Sequence, residues 1–173
     1  MKIIQSKENP EMFVTRVEPD GDERVIGKWF FYHLAMNKDS VLQGELIIPE
    51  GIEEIEDMAF NHLGVRFNVY HLPKSLVRIG ENVMPGYSRV KMFYEGTSNG
   101  FKSIAKIREE SVYESDGFDR YPYYSGNSAW VTHYYCFDGL AQSVEVYCKE
   151  DGVTLLYGTH HRRDGEPPKI KEE

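Results

Sequence analysis

Two stretches of this sequence can be laid one above the other: residues 46–60, LIIPEGIEEIEDMAF, and residues 71–84, HLPKSLVRIGENVM. Pro49 falls over Pro73, Ile52 over Leu76, Ile55 over Ile79, and Ala59-Phe60 over Val83-Met84, all at an offset of 24 residues. Self-similarity at a period of roughly 20 to 29 residues is the signature of stacked coils. One coil of this length buries little by itself. Stacking is what makes a continuous core, so the period constrains the fold more than any single motif does.

Each copy has a simple physical reading. A short apolar strand (Leu46-Ile47-Ile48, then Tyr70-His71-Leu72) stops at a proline, which has no N–H to give to a ladder. Gly51 and Ser75 turn the chain. A second extended piece follows, with Ile52 and Ile55, or Leu76 and Ile79, directed inward. Met58-Ala59-Phe60 and Val83-Met84 then carry a large side chain into the core on a brief turn. A degenerate earlier copy precedes these two. Ile26-Gly27-Lys28-Trp29-Phe30-Phe31 aligns with Ile55–Phe60 and with Ile79–Met84, and Pro19-Asp20-Gly21 sits seven residues before Ile26 where Pro49-Glu50-Gly51 sits six before Ile55. Its outer arm, Met36 to Gly44, is longer, as suits a terminal coil with water on one side. Residues 1–12 read as a lead-in or an edge strand.

The string I-P-E-G-I-x-x-I-x-x-x-A-F, followed by L-P-x-S-L-x-x-I-G-x-x-V-M, resembles the BspA-type leucine-rich repeat. The segment Phe93-Tyr94-Glu95-Gly96-Thr97 with Phe101-Lys102-Ser103-Ile104 is similar to the Y-x-G-T…W-x-x-I stretch that often closes such arrays. The resemblance covers residues 46–104 and extends to about residue 13 with the degenerate copy. It implies a mainly β fold with short helical or irregular turns: a short solenoid of two clear coils and one degenerate N-terminal coil, spanning residues 1–107.

Periodicity ends after Ile107. Residues 108–128 are polar and punctuated by Gly, Pro and Asp, which predicts a linker or long loop. Ala129–Phe137, Ser143–Lys149 and Val153–Tyr157 read as strands rich in Val, Tyr and Trp. Asp151-Gly152 between the last two suits a two-residue type I′ hairpin. The expected product over residues 129–159 is a small antiparallel β meander, either a cap on the coils or an independent module. Residues 160–173 read as a flexible tail.

Composition narrows the function. The formal net charge is -8, which disfavours direct nucleic-acid binding and anionic membranes and favours a basic protein partner. No run reaches the ~18 apolar residues that a spanning helix needs. The N-terminal MKIIQSKENPEMF has no apolar leader core, and two cysteines, Cys136 and Cys148, make no disulfide framework. The expected address is cytoplasmic.

Chemistry is sparse. The strings G-x-S-x-G, G-x-G-x-x-G, H-E-x-x-H and the P-loop do not occur. His133-x-x-Cys136 with Cys148, His160 and His161 is the only metal-like grouping, yet residues three apart on a strand point to opposite faces. No catalytic residue, metal or cofactor is expected. The predicted function is a non-catalytic protein-interaction module. Its contact residues are expected to be Ile47 and His71 on the sheet face and the acidic run Glu50, Glu53, Glu54, Glu56 and Asp57, with Tyr94, Tyr123 and Tyr124 as aromatic anchors. Alternatives from other classes are a phage- or mobile-element-encoded inhibitor that imitates nucleic acid before a host defence enzyme, and an enzyme built on the C-terminal module.

Overall fold

Along Val65–Leu72 (VRFNVYHL) apolar side chains recur at a period near two, which on a pleated strand puts them on one face. Val65, Phe67, Tyr70 and Leu72 are buried there. This strand is the middle of the molecule. The computed structural model describes residues 1–9, 12–35, 42–60, 65–80, 83, 90–105, 110–114, 129–133 and 144–157 (8, 9, 12, 34, 35, 110–114 and 129–133 by backbone alone). The elements are β1 (Lys2–Asn9), β2 (Met12–Glu18), β3 (Val25–Ile26), α1 (Phe30–Ala35), β4 (Leu42–Ile47), β5 (Glu54–Ile55), β6 (Val65–Leu72), β7 (Arg78–Ile79), β8 (Val90–Tyr94), α2 (Ser98–Ile104), β9 (Glu110–Glu114), β10 (Ala129–His133), β11 (Val144–Cys148) and β12 (Val153–Tyr157).

The chain is mainly β. A mixed seven-stranded sheet runs β1-β2-β4-β6-β8-β11-β12, and a small sheet of very short strands runs β3-β5-β7. Neighbours from β2 to β11 pair in parallel, while β1 and β12 close the two edges antiparallel. Residues 1–12, read as a lead-in or an edge strand, supply the edge strand β1. One apolar cluster joins the two sheets. Leu46, Tyr70, Met92 and Val146 enter it from the large sheet, and Ile26, Ile55 and Ile79 from the small one. Phe31 and Phe60 pack edge to face at 5.1 Å between them, and burying an aromatic ring is worth on the order of 2–3 kcal/mol.

The alignment of Ile26–Phe31 with Ile55–Phe60 has a counterpart in the backbone. Among the described residues two non-glycine positions have positive φ, Trp29 at 61° and Met58 at 58°, and they occupy the same column of that alignment. The N–H groups of Glu53 and Glu54 both donate to Arg24 O, as those of Val77 and Arg78 both donate to Glu53 O. Glu56 N–H donates to Ile26 O and Gly80 N–H to Ile55 O.

Gly44 lies where β4 slips register against β6, between Gly44 and Glu45. Its φ is +89°, and a Cβ there would lie 2.2 Å from the Phe13 carbonyl oxygen of β2. Only glycine fits this bulge.

The C-terminal expectation needs correction. The strands predicted over 129–159 do not pair as one three-stranded meander. β11 joins β8 in parallel, with Val144, Val146 and Cys148 continuing the buried rows of Val90, Met92 and Tyr94. β10 instead pairs with β9, which falls inside the predicted linker. The reason is burial: the inward side of β11 has an apolar core to cover, which an isolated meander would not offer it. The β11–β12 turn also differs. Cys148 pairs with Val153, so the loop is four residues, Lys149 to Gly152, with Gly152 alone at positive φ. A type I′ turn needs positive φ at both central residues. The wider loop lets Lys149 N–H donate to Tyr94 O and brings the Asp151 carboxylate to the Ser98 N–H and hydroxyl at the start of α2, both at 2.8 Å. The predicted tail, 160–173, lies outside the described residues.

Candidate interaction surface

The outward face of the large sheet and the acidic turns at its side are the two surfaces on which the predicted contact residues fall. On the sheet, parallel register puts one residue of each strand into a common row. Arg16, Ile47, His71, Phe93 and Tyr147 are successive register partners, and their chain neighbours Leu46, Tyr70, Met92 and Val146 are buried on the other side. Antiparallel pairing adds Ile4 beside Arg16 and Thr154 beside Tyr147. The His71 ring lies flat on Phe93 at 5.1 Å with 15° between planes, and Phe93 meets Tyr147 edge to face at 6.4 Å. His71 Nε2 is 3.0 Å from a Glu45 oxygen, which orients the imidazole over the neighbouring ring. Among the described residues, three of the six large hydrophobic ones that are exposed, Ile4 at 44%, Tyr147 at 38% and Leu156 at 42%, stand on this face. The structure thus brings the predicted Ile47 and His71 together, and adds Phe93 and Tyr147, which the sequence reading did not select.

The acidic run is arranged differently. The Glu50 carboxylate accepts from the backbone N–H groups of Lys74 and Ser75, at 2.8 and 3.3 Å, across the 24-residue offset. Glu53 pairs with Arg24, and Arg78 bridges Glu54 and Asp57. Glu56 accepts from Lys28 N–H at 2.6 Å. Ser75 joins the same contact, its hydroxyl donating to Ile52 O and accepting from Gly51 N–H. Each of the five carboxylates in this run therefore holds a group from an adjacent turn. Close approach is part of the device: a Cβ on Gly80 would lie 2.4 to 2.7 Å from Asp57 and Glu56 atoms. The Arg partners of Glu53, Glu54 and Asp57 come from the turns on either side, while Glu50 and Glu56 hold backbone N–H groups.

Tyr94, expected as a surface anchor, is a correction. It is 3% exposed and packs on Phe101 at 5.6 Å; burial, followed by Cys148 and nearby carboxylates, pushes its phenol pKa up. Its neighbour Phe93 is the outward residue. A period-two reading of Val90–Tyr94 (VKMFY) could have separated the two, because Val90 and Met92 are the apolar residues in phase with Tyr94. Tyr123, Tyr124, Cys136 and His160-His161 lie outside the described residues. Cys148 is a fully buried free thiol whose pKa is pushed up to about 11, chiefly by burial and also by Asp151. It stays a neutral thiol at physiological pH, the reverse of what an attacking cysteine needs. Among the described residues no group of three His, Cys, Asp or Glu side chains could hold a metal ion, and no helix is long and apolar enough to cross a membrane.

No family model, no curated protein and no solved structure matches this chain.

Proposed function

We propose that this protein is a non-catalytic interaction module, a short array of leucine-rich coils that docks a protein on the outward face of its sheet. The observation that carries the reading is the Ile47–His71–Phe93–Tyr147 row, one partly exposed apolar or aromatic side chain per strand. Rigid aromatic residues held by a sheet make good anchors because little side-chain entropy is lost on contact. The 24-residue recurrence supports the coil assignment, since it places equivalent residues in neighbouring turns.

Charge divides the work by distance. The net charge of -8 acts at long range, where it favours a basic partner and disfavours nucleic acid. Contact energy comes from the sheet face. An inhibitor that imitates nucleic acid would need its carboxylates turned to a basic groove, whereas Glu50, Glu53, Glu54, Glu56 and Asp57 are bonded to adjacent turns. The test is capture from native cells with the whole protein, a Phe93→Ser/Tyr147→Ser double variant and a Glu53→Gln/Glu54→Gln variant. The reading expects the face variant to lose a partner that the edge variant keeps. A partner held by the face variant and lost by the edge variant would overturn it.

A further inference from the structure

Asn99-Gly100 is the one Asn-Gly pair in the chain. Such a pair is labile in an unfolded peptide, because glycine has no Cβ to hinder its backbone nitrogen from approaching the Asn side-chain carbonyl. In the reaction the Gly100 nitrogen loses its proton and bonds to Asn99 Cγ, and the side-chain nitrogen leaves as ammonia with that proton. The product is a five-membered succinimide. Water opens the ring at either carbonyl, giving aspartate or, with the backbone rerouted through the side chain, isoaspartate.

The fold opposes each requirement of this step. Asn99 and Gly100 stand in the first turn of α2, with Asn99 exposed to water. A helical ψ of about −42° turns the Gly100 nitrogen away from the Asn99 side chain, so the ring cannot close. Gly100 N–H donates to Thr97 Oγ1 at 3.1 Å, which favours keeping the proton that must be lost first. Gly100 O accepts from the Ser103 hydroxyl at 2.7 Å, so the residue is held at both its N–H and its C=O. Exclusion of water is therefore not what protects Asn99; backbone geometry is.

We propose that Asn99-Gly100 is a latent deamidation site, kept silent by the Thr97 cap and turned on when the first turn of α2 opens. The product acts on the fold around it. Isoaspartate adds one atom to the backbone between Ser98, whose N–H and hydroxyl reach Asp151 at 2.8 Å, and Phe101, which is fully buried. The two anchors cannot both keep their places when the chain between them lengthens. The β11–β12 loop then loses its tie to α2, and the strand that carries Tyr147 loses part of its support.

The full chain at mildly alkaline pH, sampled over days and mapped by mass spectrometry of its peptides, tests this. Conversion at Asn99 should run at least about ten-fold more slowly in native buffer than in guanidinium chloride, because local opening leaves the reactive form in the minority. Thr97→Ala should speed the native chain about five-fold, the factor by which a lost N-cap populates the open turn, and leave the unfolded rate unchanged. Thr97→Ser, which keeps the acceptor, should match wild type. Wild type also supplies a measurement that needs no variant to fold: through sub-denaturing guanidinium chloride, hydrogen exchange at Gly100 N–H and deamidation should accelerate together. Equal rates in the native and unfolded chain would overturn the proposal. A native rate indifferent to Thr97→Ala, or deamidation that does not follow Gly100 exchange, would overturn it too. The modified chain, separated on its added negative charge, should melt below the unmodified one; an equal midpoint would overturn the effect on the fold.

Discussion

At the acidic edge, Glu50 reaches the N–H groups of Lys74 and Ser75 and Arg78 ties Glu54 to Asp57. On the sheet face, by contrast, His71 stacks on Phe93, which meets Tyr147 edge to face, and the rings leave their outer sides to solvent. Both regions carry internal ties: at the edge all five carboxylates hold an adjacent turn, and on the face Glu45 holds His71 and Glu95 holds Lys149, so what the face leaves open is its aromatic rings. Charge density alone is therefore a poor guide to which surface is free to dock a partner. What matters is whether a charged group already has an internal partner.

The contrast predicts a ranking of stability effects. Gly80→Ala should be the most severe, because its Cβ would collide with backbone atoms of Glu56 and Asp57. Overpacking of this kind costs about 3 kcal/mol, which in a chain of this size lowers the melting midpoint by on the order of 10 °C. A midpoint within 2 °C of wild type, by the same scale, would mean that the turns are not pressed together as described.

Glu50→Ala should follow, at about 1 kcal/mol in a urea titration, since two N–H groups lose a charged acceptor and turn to water. A null effect would return Glu50 to the class of solvated charges and reopen the edge as a docking site.

Asp151 uses the same device in a loop. Hydrogen bonds from the Ser98 backbone and hydroxyl and from Val153 N–H hold its carboxyl below the usual value of 3.8. A depressed folded-state pKa stabilises the fold fully above the unfolded value, and that contribution is lost as the pH falls below it. Stability measured from pH 5 to pH 2 should therefore decline less steeply in Asp151→Asn than in wild type. Equal slopes would remove Asp151 from the acid limb.

Smallest on stability is Tyr147→Ser, expected within about 0.5 kcal/mol as for most exposed positions. The same substitution should weaken binding at least ten-fold, and this dissociation of the two effects is what distinguishes a docking face from a structural one. A large loss of stability would move Tyr147 into the framework.

Much of the framework was legible in the chain. The 24-residue recurrence places Ile52, Ile55 and Ala59 against Leu76, Ile79 and Val83, and all six are buried. Alternation around the prolines is enough to orient Ile47 and His71 outward, since both neighbours of each are apolar. Tyr94 and Phe93 were separable in the same way, since Val90 and Met92 are the apolar residues in phase with Tyr94, and the choice of Tyr94 as a surface anchor passed over that alternation. The C-terminal strands were recognised as strands but not in their pairing. A segment such as VEVYC carries its own alternation, while the edge it will pair with is a property of the whole sheet.

Local sequence thus determined the elements, their inward sides and the recurrence that aligns one turn with the next, since these follow from the period and from where proline and glycine can stand. Tertiary structure alone decided that β11 extends the sheet and that the acidic run is bonded inward. It also decided that four outward side chains form one row. Each of these depends on groups 20 to 55 residues apart coming within contact distance, and no local pattern records which of them will meet.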